Sequence, residues 1–179
     1  LAGIVGGRPK ASAVVKLFSF LIDKDQIKVE VDFVGQRHPV QIPTGLAPQD
    51  INLHSVGEVA SYQGDEIEVP LIEIAHARSG DKGNHSNIGV IARKADYLPW
   101  IRAALTEQSV ASYMQHVLDA EKGRVIRYEL PGLNALNFML ENALGGGGVA
   151  SLRIDPQGKA FAQQLLDMPV KVPAHLLEK

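Results

Sequence analysis

A chain of 179 residues has room for one ordinary domain, or for a compact domain of about 100 residues with an added lobe. Its 45% hydrophobic and 21% charged residues are the makeup of a globular protein, and a net charge of −2 offers no cationic excess for nucleic acid. The absence of cysteine excludes a disulfide scaffold, a thiolate metal site and a cysteine nucleophile. No run approaches the roughly 18 apolar residues of a membrane span, because the longest candidate, 11–22, is broken by Ser12, Lys16 and Ser19. The expected setting is cytoplasmic, with no membrane and no nucleic-acid partner. The chain starts at Leu1 without a methionine or signal-peptide features, which reads as a piece of a longer protein.

Residues 13–22 and 26–34 are rich in β-branched and aromatic side chains and flank Asp23-Lys24-Asp25, which predicts a β-hairpin. Ile27, Val29, Val31 and Phe33 alternate with Lys28, Glu30 and Asp32, giving one wet face. Residues 35–64 carry Pro39, Pro43 and Pro48 with little periodicity and read as a linker or irregular lobe. The predicted organisation is a hairpin segment over 1–50 ending a preceding domain, a linker over 51–67, and an α+β domain over 68–179.

Within that domain, 68–78 and 87–93 predict two strands joined by a polar motif. Asp96 as N-cap with Pro99 in the first turn opens a helix, and Val110, Tyr113, Met114, Val117 and Leu118 at helical spacing mark another. Gly123 stops it, and 124–130 predicts a strand. Leu133, Leu136, Leu140, Ala143 and Leu144 predict a helix ending at the glycine run 145–148. A strand over 149–154 follows, and Asp155-Pro156 opens a last helix that stops before Pro169. This β-β-α-β-α-β-α order predicts an α+β two-layer sandwich with helices on one face of a small mixed sheet.

The concentrated polarity lies in Arg78-Ser79-Gly80-Asp81-Lys82-Gly83-Asn84-His85-Ser86-Asn87. Preceded by His76, it is too long for a minimal hairpin turn. Gly80 and Gly83 permit close approach of backbone N–H groups to an anion, and Arg78 and Lys82 supply countercharge, which makes a phosphate or carboxylate cradle. It is not a Walker A loop, since that glycine spacing is absent and a strand follows. A proton-transfer site built on His76, Asp81 and His85 ranks lower. A Ser79 or Ser86 nucleophile lacks the G-x-S-x-G elbow, and a metal site at the same histidines lacks a helical His pair, so no metal is assigned. The bland alternative is that Asp81 pairs with Arg78 or Lys82 and closes the loop on itself. The glycine run reads as a helix stop and connector, Asn134 and Asn137 as solvated amides on one helical face, and Trp100 as a core anchor.

The segments IAHARSGDKGNHSNIGVIAR at 74–93 and LPGLNALNFMLENALGGGGVASLRIDPQGKAFAQQLLDMPVKVP at 130–173 resemble the carboxy-terminal domain of the acyclic terpene utilisation protein AtuA family. The resemblance covers roughly 68–175, and 3–35 is similar to the end of that family's larger amino-terminal domain. It implies a ferredoxin-like α+β domain and a setting in bacterial breakdown of citronellol- or geraniol-like terpenes by way of branched acyl-CoA intermediates. It supplies no reaction, and the cofactor stays open. The expectation is an accessory or ligand-binding domain in which Arg78, Ser79, Gly80, Asp81, Lys82, Gly83 and Asn87 hold the anionic group of an acyl-CoA or carboxylate. Its partners would be the missing amino-terminal domain and further copies of the chain. The alternative is an assembly domain that pairs subunits of a larger enzyme.

Overall fold

The computed structural model describes residues 20–43 and 64–177, with Ala11, Ala13, Phe18, Gly45 and Tyr62. They fall into two compact units, one within Phe18–Gly57 and one containing Glu58–Lys179. No helix among the described residues is long and apolar enough to cross a membrane.

The smaller unit holds an antiparallel ribbon of β1 (Glu30–Phe33) and β2 (Gln36–Pro39). Its turn is Val34-Gly35, at φ 51° and 78°, the paired positive values that match a hairpin to the right-handed twist of its strands. The hairpin expected around 23–25 is therefore displaced. Asp23-Lys24-Asp25 contains no glycine, and the chain there closes a 3-10 turn instead, with the Gln26 and Ile27 N–H groups donating to the Asp23 and Lys24 carbonyls. Residues 20–22 form no strand, and 12, 14–17 and 19 lie outside the described residues. The partner strand comes from the stretch read as a linker. Val29, Val31 and Phe33 are all exposed, so no dry face opposes the wet one, as befits a ribbon too small to make a core.

In the larger unit β3 (Glu66–Pro70), β4 (Ala75–Lys82) and β5 (His85–Ala92) precede α1 (Leu98–Ala104) and α2 (Glu107–Tyr113). Then follow β6 (Arg124–Leu130), β7 (Ala135–Glu141), α3 (Phe161–Leu166) and β8 (Pro169–Pro173). The main sheet runs β4-β5-β7-β6, β3 pairs with β8, and every ladder is antiparallel. Register puts Ile88, Val90, Val125, Leu136, Phe138 and Leu140 on one face, buried against Ile101, Val110, Phe161 and Leu165 from the helices. The architecture is α+β, with its helices on one face of the sheet. Small residues Ala75, Ala77 and Ser79 on that face of β4 let α3 come close enough for the Ala162 N–H to reach the Ser79 hydroxyl at 2.9 Å.

Four expectations change. The strand over 68–78 is two strands separated by the 3-10 turn Leu71–Glu73. The helix over 133–144 is the strand β7: Gly132 and Asn134 take φ of 84° and 49° in the turn before it, and Leu136, Phe138 and Leu140 bury at the two-residue period of a strand. The strand over 149–154 is an irregular loop whose Leu152 and Ile154 are fully exposed. The last helix begins at Phe161, because the Asp155 carboxylate accepts from Lys159 N–H at 3.0 Å and Ala160 N–H at 2.8 Å and so organises a turn ahead of it. Pro169 and Pro173 hid β8, a two-stranded edge position where proline is tolerated.

Candidate functional site

The polar motif is not a long loop. Arg78–Lys82 belong to β4, His85–Asn87 to β5, and the turn is only Gly83-Asn84, with Gly83 at φ 66° as a primed hairpin turn requires. The rungs Arg78↔Gly89, Gly80↔Asn87 and Lys82↔His85 send Arg78, Lys82 and Asn87 to the sheet face opposite the helices, while Ser79 and Asp81 point to the helix side. With no side chains at Gly80 and Gly89, the floor between them is bare backbone, and a cavity of ≈ 370 Å³ lies there.

Three cations border it. Lys82 Nζ donates to Asn87 Oδ1 and to the Asp81 carbonyl, both at 3.1 Å, and Asn87 Nδ2 donates to Asn137 Oδ1 at 3.0 Å, so the amide of Asn87 is held from both ends. Lys159, from the turn before α3, also lines the cavity, with its ammonium 3.7 Å from Asp81 Oδ1. A side chain at Gly80 would meet that ammonium at 3.1 Å, so the glycine gives Lys159 its place. Arg78, Lys82 and Lys159 thus stand against the single carboxylate of Asp81.

The rest of the motif builds the platform. Ser79, only 6% exposed, accepts from Ala162 N–H and donates to the Lys159 carbonyl at 3.2 Å. Ser86 donates to the Gly80 carbonyl at 3.0 Å. Asn84 accepts from Gly146 N–H through its side chain and from Leu144 N–H through its carbonyl, and its amide donates to Asn142 Oδ1. Gly147, at φ 89°, lies so near the turn that a Cβ would come within 2.9 Å of the Gly83 carbonyl. The glycine run read as a connector is thus a clasp on the β4–β5 turn. The two segments that carry the family resemblance meet here in space.

Residues 69–171 match the sequence profile of the AtuA ferredoxin-like domain. The chain belongs to this family. No curated protein and no solved structure matches it.

In this AtuA ferredoxin-like domain the alternatives for the motif come apart. His76 pairs with Ile91 and His85 with Lys82, so the two histidines stand at opposite ends of the ladder, roughly 20 Å apart at the rise of a strand. Asp81 faces away from both, and His85 Nδ1 accepts from Asn142 N–H at 2.9 Å. The proton-transfer and metal trios therefore do not assemble, and no cluster of three metal-ligating side chains occurs among the described residues. Ser79 and Ser86 donate to backbone carbonyls, not to a histidine. Asn137, assigned to a helix, is on β7 beside Asn87, and Trp100 packs against the core edge-on to Tyr62 at 5.5 Å.

Beside the cationic cavity runs a groove of ≈ 310 Å³ lined by His76, Gly89, Ile91, Leu130 and Ala135. The two hollows share Arg78 and Gly89. Sequence reading missed Lys159 because it lies far along the chain in a segment assigned to helix; the Gly158-Lys159 pair after Asp155 was the available signal of a turn.

Proposed function

We propose that this domain holds the anionic group of a small molecule, a carboxylate or the phosphates of an acyl-CoA, in the cytoplasmic breakdown of acyclic terpenes or branched acyl-CoA compounds. Arg78, Lys82 and Asn87 provide the contacts. Gly80 keeps the floor open, and Ser79, Asp81 and Gly83 fix the strand, Lys159 and the turn in place. The observation that carries the reading is that three cationic side chains line one glycine-floored hollow, with the Asp81 carboxylate beside Lys159. Charge-assisted hydrogen bonds each contribute about 1.5–3 kcal/mol, so loss of one cation costs roughly 10- to 100-fold in affinity. Calorimetric titration with acyl-CoA thioesters and inorganic phosphate tests this: Arg78→Ala and Lys82→Ala should each weaken binding by that factor, and unchanged affinity in both variants rejects it.

A second reading is assembly of subunits through the same sheet face, favoured by the exposure of Ile91, Tyr128 and Leu133 on or beside it. Sedimentation separates the two. A chain that stays monomeric at high concentration excludes assembly through this face alone.

A further inference from the structure

The geometry points to a ligand that is an amphiphile: an anion with a hydrocarbon tail, its head between Arg78, Lys82 and Lys159 and its tail lying across the open sheet face over Gly89 toward Ile91 and Leu130. The inference rests on the anion-binding reading above and adds the part of the molecule that reading leaves undefined.

Three observations carry it. The polar hollow and the apolar groove adjoin on one sheet face, with Arg78 and Gly89 lining both. Their chemistry changes along it, from three charged side chains at one end to Ile91, Leu130 and Ala135 at the other, so an inorganic anion would leave the apolar half unused and a plain hydrocarbon would leave the cations unmatched. The junction is open because it is glycine: an added Cβ at Gly89 would find nothing nearer than 3.9 Å, so a larger side chain fits without clash and would fill the passage. From Gly89 to Leu130 the path crosses two strand spacings and advances two residues, roughly 12 Å, the reach of an extended chain of about nine carbons.

The test is titration of the 179-residue chain, followed by amide chemical shifts, with inorganic phosphate, octyl phosphate, and straight-chain carboxylates from acetate to dodecanoate below their micelle concentrations. A fully buried methylene is worth roughly fourfold in affinity, and a groove that covers one side of the tail gives about twofold. The expected result is a dissociation constant that falls about twofold per carbon and levels off near nine carbons, with octyl phosphate far tighter than phosphate. Ile91→Asp, at a position 45% exposed, should flatten the series while leaving phosphate binding intact, and Gly89→Val should also flatten it, by blocking the passage. If phosphate binds, Lys82→Ala weakens it, and the series is flat, the tail is overturned while the anion site stands. If affinity rises with chain length equally in Ile91→Asp and Gly89→Val, the tail is adsorbing elsewhere and the inference fails. If no probe binds, both readings fail together.

Discussion

Ser79→Ala should destabilise the domain far more than the loss of one oxygen from a strand would suggest. The helix α3 has six residues and cannot stand alone, and its N-cap residue, Ala160, has no side-chain acceptor to offer. Ser79 supplies that acceptor from outside the helix: its hydroxyl takes the Ala162 N–H at 2.9 Å and donates to the Lys159 carbonyl at 3.2 Å. At 6% exposure no water can replace it easily. An orphaned buried N–H costs about 1–3 kcal/mol and a lost helix cap about 0.5–2 kcal/mol, so a value near 2 kcal/mol is expected. For a unit of this size that is a fall in Tm of about 6–10 °C, read by circular dichroism, together with roughly 30-fold faster hydrogen exchange at the Ala162 amide. A variant that melts within about 1 °C of the parent, with Ala162 exchange unchanged, refutes the assignment of Ser79 as the cap of α3.

Gly147→Ala should destabilise by about 1–3 kcal/mol, because it puts a side chain at φ 89° and within 2.9 Å of the Gly83 carbonyl; Gly148→Ala, with nothing nearer than 3.7 Å and no positive φ, should be close to neutral in the same urea titration. Phe138→Ala, at a fully buried position on the helix-facing side of β7, should cost about 3–5 kcal/mol by denaturant unfolding. The Asp119 carboxyl, accepting from the Lys122 and Glu121 N–H groups, is held below its ordinary value of 3.8. A lowered folded-state value stabilises the fold above the unfolded value, and that contribution is lost as pH falls through the folded one. NMR titration should therefore place its midpoint below 3.8, and acid unfolding of Asp119→Asn should depend less on pH in that range.

Much of the domain was legible because local and tertiary preferences agree. The β-branched runs that became β5 and β6, and the helical spacing of Val110, Tyr113 and Met114 before Gly123, are satisfied by the same packing. Where two periods compete, the chain alone does not decide. Leu133, Leu136, Leu140 and Leu144 suit a helix and Leu136, Phe138 and Leu140 suit a strand; the strand wins because β7 pairs with β5 along one edge and with β6 along the other. In the site, Arg78, Lys82 and Asn87 stood out as a polar cluster, but their shared face required the register, and Lys159 and Asn137 required tertiary contact. The clasp at Gly147 was invisible for the same reason: its meaning lies in the carbonyl of Gly83.

The proposed seat of the anion is the sheet face between Arg78, Lys82 and Lys159. A crystal structure of the chain grown with octyl phosphate tests it most directly. Phosphate oxygens are expected within hydrogen-bonding distance of Arg78 and Lys82, with the alkyl chain passing over Gly89. Density for the ligand elsewhere on the chain, with this hollow holding only solvent at saturating ligand, would contradict it.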